Sequence, residues 1–513
     1  MATSYERLSG QDASFLVFES ATTPMNVGGT SVFEGGSVSR PGHGIDIERL
    51  KKHVAAQLHL IPRYRQRLAY VPLERQPVWI DDDHFNLDYH IRHIALPQPG
   101  DERQLKWLSA DILSRPLDRQ KPLWELWFVE GLKGNRFATV TKAHHCMVDG
   151  VSGVDVATVT MRATADATID APPRWRPRPA PSGVELLRDE VLRRARLPLA
   201  PLAGTVTPAN VLRSDFAERL GAVWSMLRAG LRGAANTPLN RATGAYRRFD
   251  WLTLDLADVK AVKNQLGGTV NDVVLATVAG AVRRFLQRRR VSLDGLDFRV
   301  AAPVNMRSPE DRTLGNRVSV WLTELPIQEP NPRRRLSKVC EVTTALKQTK
   351  QALGADVLMQ VAEWTGPAMV ALGARFANRM SPYNLLVTNV PGPQFPLYLL
   401  DAQLLDAYPL VPLFENQAVG VALFSYAGRL CWGFNADWDL LPDVDAFVED
   451  VATAFSELHR AAGPVHVRRQ ESPRGGGNRA ANDGAARAPD ARGGQLSPPV
   501  PARRRTKPRS GSG

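Results

Sequence analysis

Two adjacent histidines, His144 and His145, followed after three intervening residues by Asp149 and Gly150, stand out as a group whose types and spacing could do chemistry. An imidazole changes charge near neutral pH, so a histidine fixed at the end of a rigid element can take a proton from a weak nucleophile such as an alcohol. Just before the pair, Phe137, Thr139, Thr141 and Ala143 alternate with their neighbours as in a β-strand. Continued alternation puts the histidines on opposite faces, with His145 on the face of those four residues. His145 is therefore the expected base and His144 a supporting residue. Val148, Asp149 and Gly150 should turn the chain, and Val151, Val154, Val156 and Ala157 predict a helix leaving the site. Two other readings compete: a pair of structural histidines beside a turn aspartate, and a zinc site. Adjacent histidines lack the i, i+4 helical spacing of a zinc pair and have no third ligand nearby, so no metal is expected.

The elements around the motif can be read in order. Gly28 and Gly29, followed by Thr30 to Phe33, suggest a turn into a strand. A helix is expected over 47–60, ending before Pro62, and another over 101–114. Between them, Asp81, Asp82, Asp83, His84, His90 and His93 read as a loop and strand with solvated charges rather than a metal site. Trp124 to Val129 alternate as a strand pairing with the motif strand, entered through Pro122 and Leu123. A Pro/Arg-rich linker over 171–182 should be extended and exposed, with helices over 184–196 and 209–232 after it. The second of these is basic and amphipathic, suited to packing on the body or to a lipid interface. The domains then read as 1–170, a linking region 171–236, a second domain 237–462 and a basic tail 463–513. In the second domain, 267–272 should cap a helix over 273–288, with Asn271 or Asp272 accepting bonds from its free N–H groups. A hairpin about Ala427 to Arg429 and a helix over 444–460 close the domain.

Hydrophobic content of 43% and charged content of 23% suit an ordinary globular protein. Three scattered cysteines make neither a disulfide framework nor a zinc ribbon. The formal charge is +13, but from Arg468 onward eleven basic residues face three acidic ones, so most of the excess lies in the tail. That tail should be disordered, and with no stacking aromatics behind it nucleic acid is not expected. Neither an apolar leader nor a spanning apolar run is visible. The expected location is cytoplasmic, with peripheral association at the inner face of the membrane or at lipid inclusions.

The chain resembles the bacterial wax ester synthase/diacylglycerol acyltransferase family, within the CoA-dependent acyltransferases that share an HHxxxDG motif. The residues that carry the likeness are Leu8, Ser9, Asp12 and Phe15; Thr23, Pro24, Met25, Val27, Gly28 and Gly29; Pro116, Leu117 and Asp118; Pro122, Leu123 and Trp124; and His144, His145, Asp149 and Gly150. Further along come Gly268 to Ala276, Pro303 to Arg307, Leu314 to Asn316, and Asn389 to Pro393. Small departures are Asn26 where many relatives carry His, and Thr388 where Ser is usual. The resemblance implies an α/β fold of two chloramphenicol-acetyltransferase-like domains, each a mixed sheet with helices, forming a pseudo-dimer with an interdomain channel. It implies acyl transfer from acyl-CoA, as co-substrate, to diacylglycerol or a long-chain alcohol, with no permanently bound cofactor. Asp149 would then be an orienting residue paired with an arginine, Arg307 being a candidate, while Gly150, Pro122, Leu123, Trp124, Asn271 and Asp272 would be structural. The alternatives are a same-superfamily transferase with another acceptor and a weakly catalytic lipid-binding protein.

Overall fold

The computed structural model describes residues 4–40, 44–147, 156–196, 233–305, 318–348 and 382–463, all within one compact body ending at Pro464. Asp149, Gly150, Arg307, the 209–232 segment and the tail lie outside the described residues.

The first half runs β1 (Tyr5–Arg7), α1 (Gly10–Phe18), β2 (Asn26–Glu34), β3 (Ser39–Arg40), β4 (Gly44–Ile45), α2 (Ile47–Gln57), β5 (Gln66–Tyr70) and β6 (Pro77–Asp81). It continues with α3 (Leu87–His90), β7 (Ile91–Ala95), α4 (Glu102–Ser114), β8 (Trp124–Leu132), β9 (Arg136–His144), α5 (Val156–Thr160), β10 (Met161–Arg162) and α6 (Gly183–Arg196). The second half has β11 (Arg247–Asp255), α7 (Leu256–Leu266), α8 (Val270–Arg288), β12 (Arg299–Asn305), β13 (Val318–Glu324) and α9 (Pro332–Gln348). After these come β14 (Leu385–Pro391), β15 (Tyr398–Leu399), β16 (Ala402–Leu410), β17 (Val419–Tyr426), β18 (Arg429–Asp437) and α10 (Val444–Ala462).

Two mixed sheets dominate. One has the order β10-β15-β16-β2-β9-β8-β7, the other β11-β18-β17-β14-β12-β13. β15 and β16 come from late in the chain yet complete the first sheet, with β16 antiparallel to β2. This crossover overturns one expectation. Gly28 and Gly29 make no turn; β2 runs straight through them, between β9 and β16. A Cβ at Gly28 would sit 1.9 Å from the Thr141 carbonyl oxygen, and one at Gly29 would sit 2.3 Å from that of Tyr408. Close backbone approach on both sides, not a bend, requires the glycines.

Under the second sheet lies α8, apolar on nearly every face, as a helix enclosed by α7, α9, α10 and a sheet must be. It begins at Val270, earlier than expected, because Thr269 is the N-cap and Asp272 completes a capping box. The acidic and histidine-rich stretch keeps its solvated reading at Asp83, His84 and His93 but not at the other three residues. Asp81 ends β6, and Asp81, Asp82 and His90 are buried. Among the described residues no three His, Cys, Asp or Glu side chains converge to hold a metal. The segment 171–182 is mostly exposed and without regular structure, as expected, but two side chains fasten it. Arg178 binds the Asp81 carboxylate at 2.8 Å, and Trp175 lies under the Arg65 guanidinium. Among the described residues no helix is long and apolar enough to cross a membrane.

Candidate active site

The motif strand β9 lies between β2 and β8, with Asn26 opposite His144 and Trp124 opposite Ala143. Two further bonds carry the pairing past the ladder's end: His144 N–H donates to the Leu123 carbonyl at 2.9 Å, and His145 N–H to that of Met25 at 2.8 Å. Pro122, Leu123 and Trp124 thus hold the motif's flank. Trp124 is fully buried, donates through Nε1 to the Tyr64 carbonyl at 2.8 Å and stacks on His90 at 4.6 Å.

Strand alternation does not place the two imidazoles. The strand stops at His144, and His145, Cys146 and Met147 form one turn of 3-10 helix. The two rings diverge because the backbone turns between them. His145 lies against α1, its ring stacked on Phe15 with centroids 3.7 Å apart and planes 14° from parallel. His144, fully buried, has Nδ1 accepting from the Cys146 N–H at 3.1 Å and Nε2 3.4 Å from a Glu19 carboxylate oxygen. An Nδ1 that accepts leaves the neutral ring's proton on Nε2, facing that carboxylate.

Sequence reasoning missed Glu19 altogether. Its Oε2 receives both Nε and Nη2 of Arg119, at 2.9 and 2.6 Å, and its Oε1 receives the Met25 N–H at 3.3 Å. Burial raises the Glu19 carboxyl, but bonds to His144 and Arg119 outweigh it and bring the pKa down to about 2. Glu19 is therefore a carboxylate throughout the physiological range. Nothing local in the sequence ties residue 19 to residue 144; the one available signal was that Phe15, a turn earlier, belongs to the family pattern.

Burial brings the His145 imidazole down to about 4; its own backbone carbonyl opposes the shift and His144 adds to it. The ring is neutral at pH 7 and its Nδ1 is buried without a well-formed hydrogen bond. Cys146 is buried and its thiol is raised well above its ordinary value, chiefly by burial, so it stays protonated and is a poor nucleophile.

The second-half residues picked out from the sequence have partners of their own. Asp272 accepts from Thr343 Oγ1 at 2.7 Å and from the backbone N–H and Oγ1 of Thr269 at 2.7 and 2.8 Å. Asn271 Oδ1 accepts from Asn389 Nδ2 at 2.7 Å, joining the first turn of α8 to β14.

The wax ester synthase/diacylglycerol acyltransferase catalytic domain matches residues 8–274, and the C-terminal domain of the same family matches residues 314–459. The chain belongs to this family. A Mycobacterium tuberculosis protein named diacylglycerol O-acyltransferase is 34% identical over 471 residues, covering 88% of this chain and 90% of its own. A second from that species, named tgs1, is 32% identical over 462 residues, covering 88% and 95%. Among solved structures, the wax ester synthase/diacylglycerol acyltransferase from Marinobacter aquaeolei VT8 matches with a TM-score of 0.65 and 27% identity, over 89% of this chain and 100% of that one. The starter condensation domain of rhizomide synthetase, solved with C8-CoA and Leu-SNAC, shares the fold at a TM-score of 0.54 and 13% identity, over 90% and 95%. This family member therefore has the two-part acyltransferase fold expected from its motifs.

Proposed function

We propose that the protein transfers a long-chain acyl group from acyl-CoA to the hydroxyl of diacylglycerol or a long-chain alcohol, forming triacylglycerol or wax ester. The observation that carries this reading is His145, a neutral imidazole stacked on Phe15 with a buried nitrogen left unsatisfied, in a family whose named members are diacylglycerol O-acyltransferases.

An alcohol is too weakly acidic to attack unaided. As its oxygen forms the C–O bond to the thioester carbonyl carbon, its proton passes to His145. The tetrahedral oxyanion then collapses, the C–S bond breaks and CoA leaves as thiolate. An imidazolium with a pKa near 4 returns the proton readily to the thiolate, so the cycle closes without net proton uptake. No acyl-enzyme is needed, in keeping with the protonated, buried Cys146. Glu19 and Arg119 act through His144, fixing its ring and with it the turn that presents His145. Asp149 keeps the orienting role that the resemblance implies, with Arg307 as the candidate partner.

The test is CoA release from palmitoyl-CoA with dioleoylglycerol or hexadecanol as acceptor, in wild type, His145→Ala and His144→Ala. Acceptor-dependent release that falls most in His145→Ala is expected. Full activity in a folded His145→Ala protein would overturn the assignment of the base, and no acceptor-dependent release from folded wild type would overturn the reaction.

A further inference from the structure

A cleft of about 1180 Å³ lies between α4 of the first half and the edge formed by β11 and the start of α10 in the second. It exceeds the usual size of a drug-like ligand's pocket. Its walls are unusual for an exposed cleft: Trp107, Tyr246 and Trp438 all line it while remaining 56%, 70% and 45% exposed. Exposed aromatic rings cost solvation unless something apolar covers them, and Trp and Tyr are the residues that sit at water–lipid boundaries.

The charges in the cleft are largely cancelled or masked. Lys106 is 2.7 Å from Asp250 and 3.0 Å from Glu102; Asp111 pairs with Arg115 at 2.5 Å, and Arg247 faces Asp437 at 3.5 Å. Arg103 and Arg248 lie flat on Trp107 and Trp438, at 4.6 and 3.8 Å. This is not the concentrated positive field that the phosphates of CoA require. One polar group does await a partner: Arg248 Nε is buried with no hydrogen bond, a donor suited to an ester carbonyl or a hydroxyl.

At Ser114 the lining of the cleft adjoins residues that support the motif. Leu113 and Arg115, on either side of the lining residue Ser114, present carbonyls to Asn26 Nδ2 at 3.0 and 2.8 Å, and Asn26 lies opposite His144. Arg247 donates to the Thr22 carbonyl, in the loop between Glu19 and Met25.

We infer that this cleft binds an uncharged glycerolipid, the hydrocarbon chains against the tryptophans and an ester or hydroxyl at Arg248; as the acceptor site, this rests on the acyltransferase reading. The direct test is equilibrium binding of a diacylglycerol carrying a fluorescent nitrobenzoxadiazole chain to the full-length protein in neutral detergent micelles. Trp107→Ala combined with Trp438→Ala should weaken binding by about tenfold, and Ser114→Trp, which adds bulk to the lining, by a similar factor. Palmitoyl-CoA affinity and the melting temperature should not move in either variant. Absence of saturable binding to wild type, or undiminished affinity in both variants, would overturn the inference. Equal loss of palmitoyl-CoA binding would also overturn it, by giving the cleft to the donor. Because lipid binding is read without turnover, a wild type inactive with every acceptor would count against the reaction and leave the cleft to be judged by its own data.

Discussion

The end of β9 and the start of α8 both bury polar side chains, but they treat hydrogen bonds in opposite ways. Asp272 has donors on both carboxylate oxygens, from Thr343, the Thr269 hydroxyl and the Thr269 backbone. His145 is only partly exposed and stacked on Phe15, yet its Nδ1 makes no well-formed hydrogen bond, its own backbone carbonyl being the one hydrogen-bonding group acting on the ring. A satisfied buried group stabilises the fold, whereas one left unsatisfied costs stability and is kept where a substrate can complete it. Both residues stand in recognisable motifs, so motif membership alone does not separate a catalytic role from a structural one.

The sharpest way to break this contrast is to remove each residue in turn. His145→Ala should lower kcat/KM by about 10²- to 10⁴-fold with little change in melting temperature. Asp272→Ala should do the reverse, losing about 1–3 kcal/mol in a urea titration while kcat stays near wild type. If Asp272→Ala, still folded, abolished turnover, the structural assignment of the second motif would be wrong.

Phe15→Ala sharpens the comparison through pH. The acid limb of kcat/KM in wild type should fall near pH 4, since His145 must be neutral to accept a proton. Removing the stacked ring admits water, lessens the desolvation that lowers the pKa and shifts that limb toward the ordinary value of 6.5. An unmoved limb would show that Phe15 does not set the environment of His145.

Glu19→Gln should have the smallest catalytic effect, a loss of about threefold to tenfold in kcat with KM nearly constant. It also has a stability signature. The folded-state pKa of Glu19 is depressed, so its contribution is fully present above the ordinary value of 4.5 and is lost as pH falls toward about 2. Wild type should therefore lose its advantage over Glu19→Gln in urea midpoints progressively from about pH 5 down to about pH 2.

Much of the fold was legible because its signals are local. The alternation in β8 and β9, the helix expected over 101–114 and the hairpin β17–β18 each lie within a short span of chain. Gly28 and Gly29 misled because local sequence makes glycine a turn signal, while their actual reason is the approach of Thr141 and Tyr408 from distant segments. Asp81 and His90 misled likewise: their partners, Arg178 and the Trp124 carbonyl, are far along the chain.

The sequence by itself determined the family, the two-sheet class and the histidine pair, since residue types at fixed short spacing encode these. Only the tertiary structure decided which environment each histidine occupies. It ended β9 one residue before His145, set Phe15 against that ring, and brought Glu19 and Arg119 to His144. Burial and charge are properties of what surrounds a side chain in space, and those neighbours come from positions that short-range spacing cannot connect.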